Sequence, residues 1–197
     1  MDYSQFLIMR GEISLLLVFL LIFLFDTFGG KKSLKGLSIT ACVLFALHTV
    51  WNIIPVDSAT AFGGMYQTSP IASMVKTVLN IGTLIVLLQS ISWSDTPDVK
   101  LRRGEFYELL LVTLFGMYLM VSSGHFLLFF IGLETASLPM AALIAINKKD
   151  TESYEAGAKY LFTAVFSSAV FLLGLSFLYG VSGSLYFGDI ALSLIHI

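Results

Sequence analysis

The stretch FLLFFIGLETASLPMAALIAI at 126–146 decides the fold class, because it stays apolar for long enough to cross a lipid bilayer. A helix needs about 20 mostly apolar residues to cross a hydrocarbon core of about 30 Å. Membrane strands would instead alternate polar and apolar residues over about ten positions. The stretch therefore predicts a transmembrane helix, and it carries one acidic residue, Glu134, close to its middle.

Five further stretches have the same continuous apolar character, and turn residues such as Gly29-Gly30 and Gly63-Gly64 separate them. They lie at 13–28, 37–56, 71–93, 106–123 and 156–181. The first could instead be a signal peptide, but it has no small-residue cleavage site and Asp26 interrupts its end. The sequence predicts an all-α integral membrane protein with six transmembrane helices, no strands, and therefore no strand-linked phosphate loop.

The composition agrees with a membrane protein. Of the 197 residues, 57% are hydrophobic and only 12% are charged, whereas a soluble domain carries about 25% charged residues. This excludes a soluble enzyme and a disordered tail, and the net charge of −2 gives no basic surface for nucleic acid. The single cysteine, Cys42, excludes a disulfide framework and a multi-cysteine metal site. We expect no metal ligands in this chain.

The lysine and arginine residues predict the orientation of the chain. Eight of the 11 basic residues lie in alternate loops. These eight are Lys31, Lys32, Lys35, Lys100, Arg102, Arg103, Lys148 and Lys149. Only Arg10 opposes this pattern. Because basic loops stay on the cytoplasmic side, the N-terminus is predicted to lie outside the cell.

Two ionisable residues are the main candidates for function. Glu134 lies about 12 Å into its span, where an acidic group costs on the order of 3 kcal/mol to insert. Such a group implies a partner or a water-filled path, although it could also be a neutral acid bonded to a neighbouring helix. Lys159 follows Glu155 by four residues, which favours an ion pair, but a lysine this close to the interface could also reach water.

Other polar residues inside the spans have simpler interpretations. Lys76 is expected to extend to the membrane surface, and we assign it no role. His48 is interpreted as hydrogen-bonded packing and His125 as an interfacial anchor. Pro139 frees the Thr135 carbonyl, which the hydroxyls of Thr135 and Ser137 could help to satisfy. Close helix packing is predicted at three glycines, Gly116, Gly174 and Gly180.

Four segments carry a resemblance to a known family. They are EFYELL (105–110), FFIGLETASLPMAAL (129–143), EAGAKYLF (155–162) and SSAVFLLGLSFLYGVSGSL (167–185). In order and spacing they resemble the antiporter-like membrane subunits of proton-pumping NADH–quinone oxidoreductase, respiratory complex I. The subunit N family is the most similar. The resemblance is strong over about 80 residues and weak over the rest of the chain.

The resemblance implies a fourteen-helix bundle with two inverted five-helix repeats. Residues 1–104 would hold helices 1–3, and 105–191 would begin the first proton-channel repeat. Glu134 and Lys159 match two proton-path residues of the family. The family pairs the glutamate with a lysine on a broken seventh helix, which this chain does not contain. The ending LSLIHI at 192–197 matches a translated sequencing adaptor, so we expect a non-native tail on a partial chain.

The resemblance also implies a function and partners. The chain would couple electron transfer from NADH to quinone to proton translocation, in a bacterial inner membrane. Its partners would be the lipid bilayer, protons, other membrane subunits of complex I and, through the complex, the quinone pool. NADH, FMN, iron–sulfur clusters and quinone would bind elsewhere in the complex, and none would bind this chain. The alternatives are a subunit of a multisubunit cation/proton antiporter and a membrane module without transport.

Overall fold

A computed structural model describes residues 4–29, 34–94, 96 and 99–195. Over these ranges the chain forms eight α-helices and one two-stranded hairpin. The helices are α1 (Ser4–Ile8), α2 (Arg10–Phe28), α3 (Leu34–Asn52), α4 (Pro70–Trp93), α5 (Arg103–Val121), α6 (Phe126–Ile144), α7 (Thr151–Ser182) and α8 (Phe187–Ile195). The strands are β1 (Ala59–Ala61) and β2 (Tyr66–Thr68).

The predicted all-α membrane fold is confirmed, because helices α2 to α7 coincide with the six predicted spans. Five of them are long and apolar enough to cross a membrane, and α3 is a shorter apolar helix. Helix α3 ends at Asn52 rather than at 56. The steric clash between a proline ring and the preceding residue ends helices early, and Pro55 follows here. The chain is a multi-pass membrane protein.

The prediction that the chain has no strands is wrong at the connection between α3 and α4. Strands β1 and β2 pair antiparallel, with Thr60 opposite Gln67. The turn between them passes through left-handed backbone at Phe62, Gly63 and Gly64, a conformation that glycine adopts without steric cost. Strands of three residues are too short to show an alternating pattern, so they cannot be predicted from the sequence.

Backbone hydrogen bonds from the hairpin and from the segment after α7 join the helix ends on one side of the bundle. The Gln67 N–H donates to the Ser122 carbonyl at 2.8 Å, which joins β2 to the end of α5. The Phe126 N–H donates to the Leu185 carbonyl at 2.9 Å, which joins the start of α6 to the segment after α7. By the predicted orientation, this is the outer end of the bundle.

The buried core lies among α2, α3, α4 and α5. Its fully buried aromatic and aliphatic side chains include Leu15, Ile22, Phe45, Tyr107 and Tyr118. Helix α7 instead keeps most of its apolar side chains exposed. Exposed apolar helix surface is stable against lipid or against further helices, so this face of α7 agrees with a chain that continues into a larger membrane bundle.

Helices α5 and α6 pack with their backbones in contact at two glycines. A Cβ built at Gly116 would lie 2.4 Å from the backbone nitrogen of Ala136 and 2.6 Å from the carbonyl oxygen of Gly132. The packing prediction is therefore confirmed at Gly116. In the described part of the chain, a Cβ at Gly174 or Gly180 meets no atom within 4 Å, so these two residues mark no helix contact there. The glycine contact holds α6 in place, and α6 carries Glu134.

Candidate functional site

The Glu134 carboxyl group faces the neighbouring helix α7. It is half-buried, and the Ser168 hydroxyl of α7 donates a hydrogen bond to its Oε1 atom. Helix α6 runs from Phe126 to Ile144, so eight residues place Glu134 about 12 Å from the start of the helix. The acidic side chain thus lies near mid-depth and points into the protein, where Ser168 supplies a partner.

A groove between α6 and α7 runs beside this carboxyl group. It has a volume of about 290 Å³, and its walls are mainly apolar. Its lining consists of Leu133, Ser137, Ala164, Ser167, Ser168 and Phe171. The three serines give the groove hydroxyl groups within an apolar surface. Such a groove can hold water beside Glu134 or receive a further helix of a larger bundle.

Pro139 interrupts the hydrogen bonding of α6 one turn after Glu134, as the sequence predicts. The nearby hydroxyls bond elsewhere than at the freed Thr135 carbonyl. The Ser137 hydroxyl donates to the carbonyl of Glu134 at 3.4 Å, and the Thr135 hydroxyl donates to the carbonyl of Ile131 at 2.7 Å. The two hydroxyl groups therefore reinforce the turn that carries Glu134.

Lys159 forms the predicted ion pair with Glu155, with 2.5 Å between Nζ and Oε1. Its side chain is 73% exposed. Ser168, the partner of Glu134, lies nine residues further along α7, which is about 13 Å of helix. The structure thus places Lys159 and Glu134 at different depths and does not bring their side chains together.

The expectation that Lys76 extends to the membrane surface is wrong. Lys76 is only 7% exposed, and its Nζ atom lies 2.5 Å from Oε1 of Glu12 on α2. The side chain of Lys76 reaches Glu12 of α2 beside Tyr66 of the hairpin, so its ammonium group is paired with an acid and not solvated. Sequence reasoning missed Glu12. The available signal was that both residues lie near the predicted outer ends of their spans, Glu12 just before 13–28 and Lys76 about one turn inside 71–93.

His48 has the hydrogen-bonded packing role predicted for it, and His125 caps the start of α6. His48 Nε2 lies 3.2 Å from the Tyr118 hydroxyl, and His48 Nδ1 lies 3.0 Å from the Ser14 hydroxyl. His125 precedes α6, and its Nδ1 atom accepts a hydrogen bond from the Leu127 N–H. Across the described residues, no three His, Cys, Asp or Glu side chains gather as a metal site would require.

Comparison with known proteins defines the class. Residues 123–196 match the family described as NADH:quinone oxidoreductase/Mrp antiporter, TM. The chain is 48% identical over 194 residues to subunit N of the NADH-quinone oxidoreductase of Phocaeicola vulgatus, which covers 98% of the chain and 41% of the relative. It is 42% identical to subunit N of Azobacteroides pseudotrichonymphae, which covers 99% of the chain and 41% of the relative.

Solved structures show the same fold. A chain of respiratory complex I from Thermus thermophilus with bound aureothin aligns with a TM-score of 0.71 at 24% identity, covering 94% of this chain and 41% of that chain. A chain of the membrane-bound sulfane sulfur reductase, an archaeal respiratory membrane complex, aligns with a TM-score of 0.67 at 20% identity, covering 94% of this chain and 39% of that chain.

Residues 123–196 of the chain match the antiporter-like family of membrane subunits. Within that family, the similarity to subunit N of NADH–quinone oxidoreductase, inferred from the four motifs, is confirmed. The chain spans about two-fifths of the length of these relatives.

Proposed function

We propose that this chain is the first part of a membrane subunit of a bacterial NADH–quinone oxidoreductase, and that Glu134 binds the transported proton. The observation that carries the proposal is the half-buried Glu134 carboxyl at mid-depth of α6, with Ser168 as its donor. An acid in this position costs free energy on insertion. A role in binding and releasing protons would explain why an acidic group is present at a position where its insertion is costly.

Lys159 takes a second role in this proposal. It lies about two turns inside α7 from Thr151, toward the end of the helix that the basic loops predict to be cytoplasmic. Its exposed ammonium group would line the cytoplasmic entrance to the proton path, and Glu155 holds it there. The remaining helices of the subunit would supply the next cationic partner of Glu134.

The location and the redox groups follow from the same proposal. The subunit would lie in the bacterial inner membrane, with its N-terminus outside and the lysine-rich loops in the cytoplasm. Its partners would be the other membrane subunits, the lipid and, through the complex, the quinone pool. NADH, FMN, the iron–sulfur clusters and quinone would bind other subunits.

A second function is a subunit of a cation/proton antiporter. It is favoured by one observation, the description of the matching family, which covers Mrp antiporters as well as NADH:quinone oxidoreductases. The antiporter would exchange protons for cations without NADH. The identities of 48% and 42% to subunit N relatives favour the respiratory function.

Replacement of Glu134 tests the proposal in the full-length protein, assembled in its native membranes. In Glu134→Gln, which keeps the size and removes the charge, NADH-driven proton uptake by inverted vesicles falls on the order of tenfold or more, as loss of a proton-transfer group predicts. Glu152→Gln is the matched control, because Glu152 is an exposed acid at the start of α7.

Two outcomes would contradict the proposal. Unchanged NADH-driven uptake in Glu134→Gln would remove the role of Glu134. Proton uptake driven by a sodium gradient in the absence of NADH, and abolished in Glu134→Gln, would assign the chain to the antiporters instead.

A further inference from the structure

A second buried charge centre lies outside the helices that resemble the proton-channel repeat. Glu12 of α2 is 1% exposed, and its Oε1 atom accepts from Lys76 of α4 at 2.5 Å. Its Oε2 atom accepts from the hydroxyl of Tyr66 in β2 at 2.9 Å. The Ser122 hydroxyl, at the end of α5, lies 3.5 Å from Oε1. One carboxylate thus joins α2, α4, α5 and the hairpin.

The Lys76 ammonium group has partners on several sides. Besides Glu12 it donates to the Tyr66 hydroxyl oxygen at 3.3 Å. Its Nζ atom also lies 5.1 Å from the centre of the Tyr118 ring and 5.5 Å from that of Tyr66. Burial and the Glu12 carboxylate raise the pKa of Tyr66, so its phenol stays protonated and remains a donor.

The polar cluster continues from this pair toward α3. The Tyr118 hydroxyl donates to Oδ1 of Asn80 at 2.7 Å. Its oxygen can then accept from Nε2 of His48, which leaves Nδ1 of His48 to accept from Ser14 at 3.0 Å. The Asn80 amide nitrogen is buried without a hydrogen-bond partner among the described residues. A buried amide in this state calls for a water molecule.

A small cavity borders the charge pair and is also lined by Val56 and Thr68 of the connection between α3 and α4, at the end of the bundle that is predicted to be the outer one. Its volume is about 10 Å³, which is near the room that one water molecule needs. Besides Glu12, Tyr66 and Lys76, its polar lining includes Arg10, Asn52, Thr68 and Ser73. A water here would contact the pair on one side and polar side chains near the hairpin on the other.

We propose that Glu12 and Lys76 form a second proton-exchange site, separate from Glu134, that communicates with the outer face through this cavity. A hydronium ion in the cavity donates a proton to the Glu12 carboxylate: one O–H bond of hydronium breaks as an O–H bond forms on Glu12, and a neutral water molecule is left. The reverse step returns the proton to water, and no electrons are transferred. Lys76, Tyr66 and Tyr118 face Glu12 from the other elements and Arg10 lies on its own helix; these groups set its proton affinity.

The alternative is that the pair only ties the hairpin to the helices. Removing both charges together distinguishes the proton-exchange role from the structural role, because replacing a buried ion pair as a whole often costs little stability. The variant is Glu12→Gln with Lys76→Met in the full-length protein within its complex. The matched control is Thr113→Val, which removes a buried hydroxyl of α5 that bonds only its own helix.

If the pair exchanges protons, the double variant assembles and oxidises NADH, yet its proton uptake per NADH falls well below that of Thr113→Val. Equal uptake in the two assembled variants would overturn the proposal. If the double variant does not assemble, the pH profile of proton uptake is measured in Tyr66→Phe instead. This variant keeps the ion pair and removes one hydrogen-bond donor to Glu12. A shifted pH profile of proton uptake supports the site, and an unchanged profile overturns it.

An infrared titration separates this proposal from the one for Glu134, since it does not depend on pumping. In the purified complex, a carboxylic-acid C=O band that titrates with pH is expected to disappear in Glu12→Gln and to persist in Glu134→Gln. If no titrating band is lost in Glu12→Gln, the second site does not exist, whatever the outcome for Glu134.

Discussion

Gly116→Ala is expected to loosen the contact between α5 and α6 and to lower the stability of the full-length protein. The added Cβ would lie 2.4 to 2.7 Å from backbone atoms of α6, at Ala136, Gly132 and Thr135. Backbone atoms cannot relieve this clash by changing rotamer, as a flexible side chain can, so α5 and α6 must move apart. Forcing an extra methyl group into a packed interface costs about 1–3 kcal/mol.

Thermal unfolding of the full-length protein in detergent measures this effect. Gly82→Ala on α4 is the matched control, because a Cβ there meets no atom within 4 Å in the described part of the chain, and alanine favours a helix over glycine. We expect a lower melting temperature in Gly116→Ala and an equal or higher one in Gly82→Ala. Equal melting temperatures in the two variants would show that α5 and α6 do not pack as described.

Lys76→Met alone is expected to destabilise the protein by about 3–5 kcal/mol, because it leaves a buried carboxylate without its cation. Glu12 would keep only the hydroxyl donors Tyr66 and Ser122. The double variant Glu12→Gln with Lys76→Met removes both charges, so it should be more stable than Lys76→Met. A double-mutant cycle isolates the interaction energy of the pair.

Unfolding of the two single variants and the double variant in detergent completes that cycle. A double variant as unstable as the sum of the single variants would show that the two residues do not interact. In that case Lys76 would reach the membrane surface, as its position in the sequence suggested.

The spans could be predicted because each apolar stretch is continuous and each break carries turn residues. A bilayer requires continuous apolar helices, which leaves few alternatives. Glu134 was evident for the same reason, since a single acid in such a stretch is conspicuous. The Glu155–Lys159 pair followed from helix spacing alone, which fixes neighbours four residues apart.

Contacts between distant elements could not be predicted in this way. Helix α4 carries polar residues on its buried face, among them Ser73, Lys76 and Asn80, but helix α2 is apolar on nearly all sides, so its sequence does not indicate which of its faces turns inward. The partnership of Glu12 and Lys76 depends on that rotation. It also depends on the hairpin, which has strands of three residues and no recognisable pattern. The hydrogen bond between Ser168 and Glu134 likewise depends on how α7 packs against α6.

The most direct test of Glu134 as a proton site is the infrared difference spectrum of the full-length complex before and after addition of NADH. We predict that a carboxylic-acid C=O band changes on reduction in the wild type and in Glu152→Gln, and that this band is missing in Glu134→Gln. A Glu134→Gln spectrum with the same carboxylic-acid bands as the wild type would contradict the assignment.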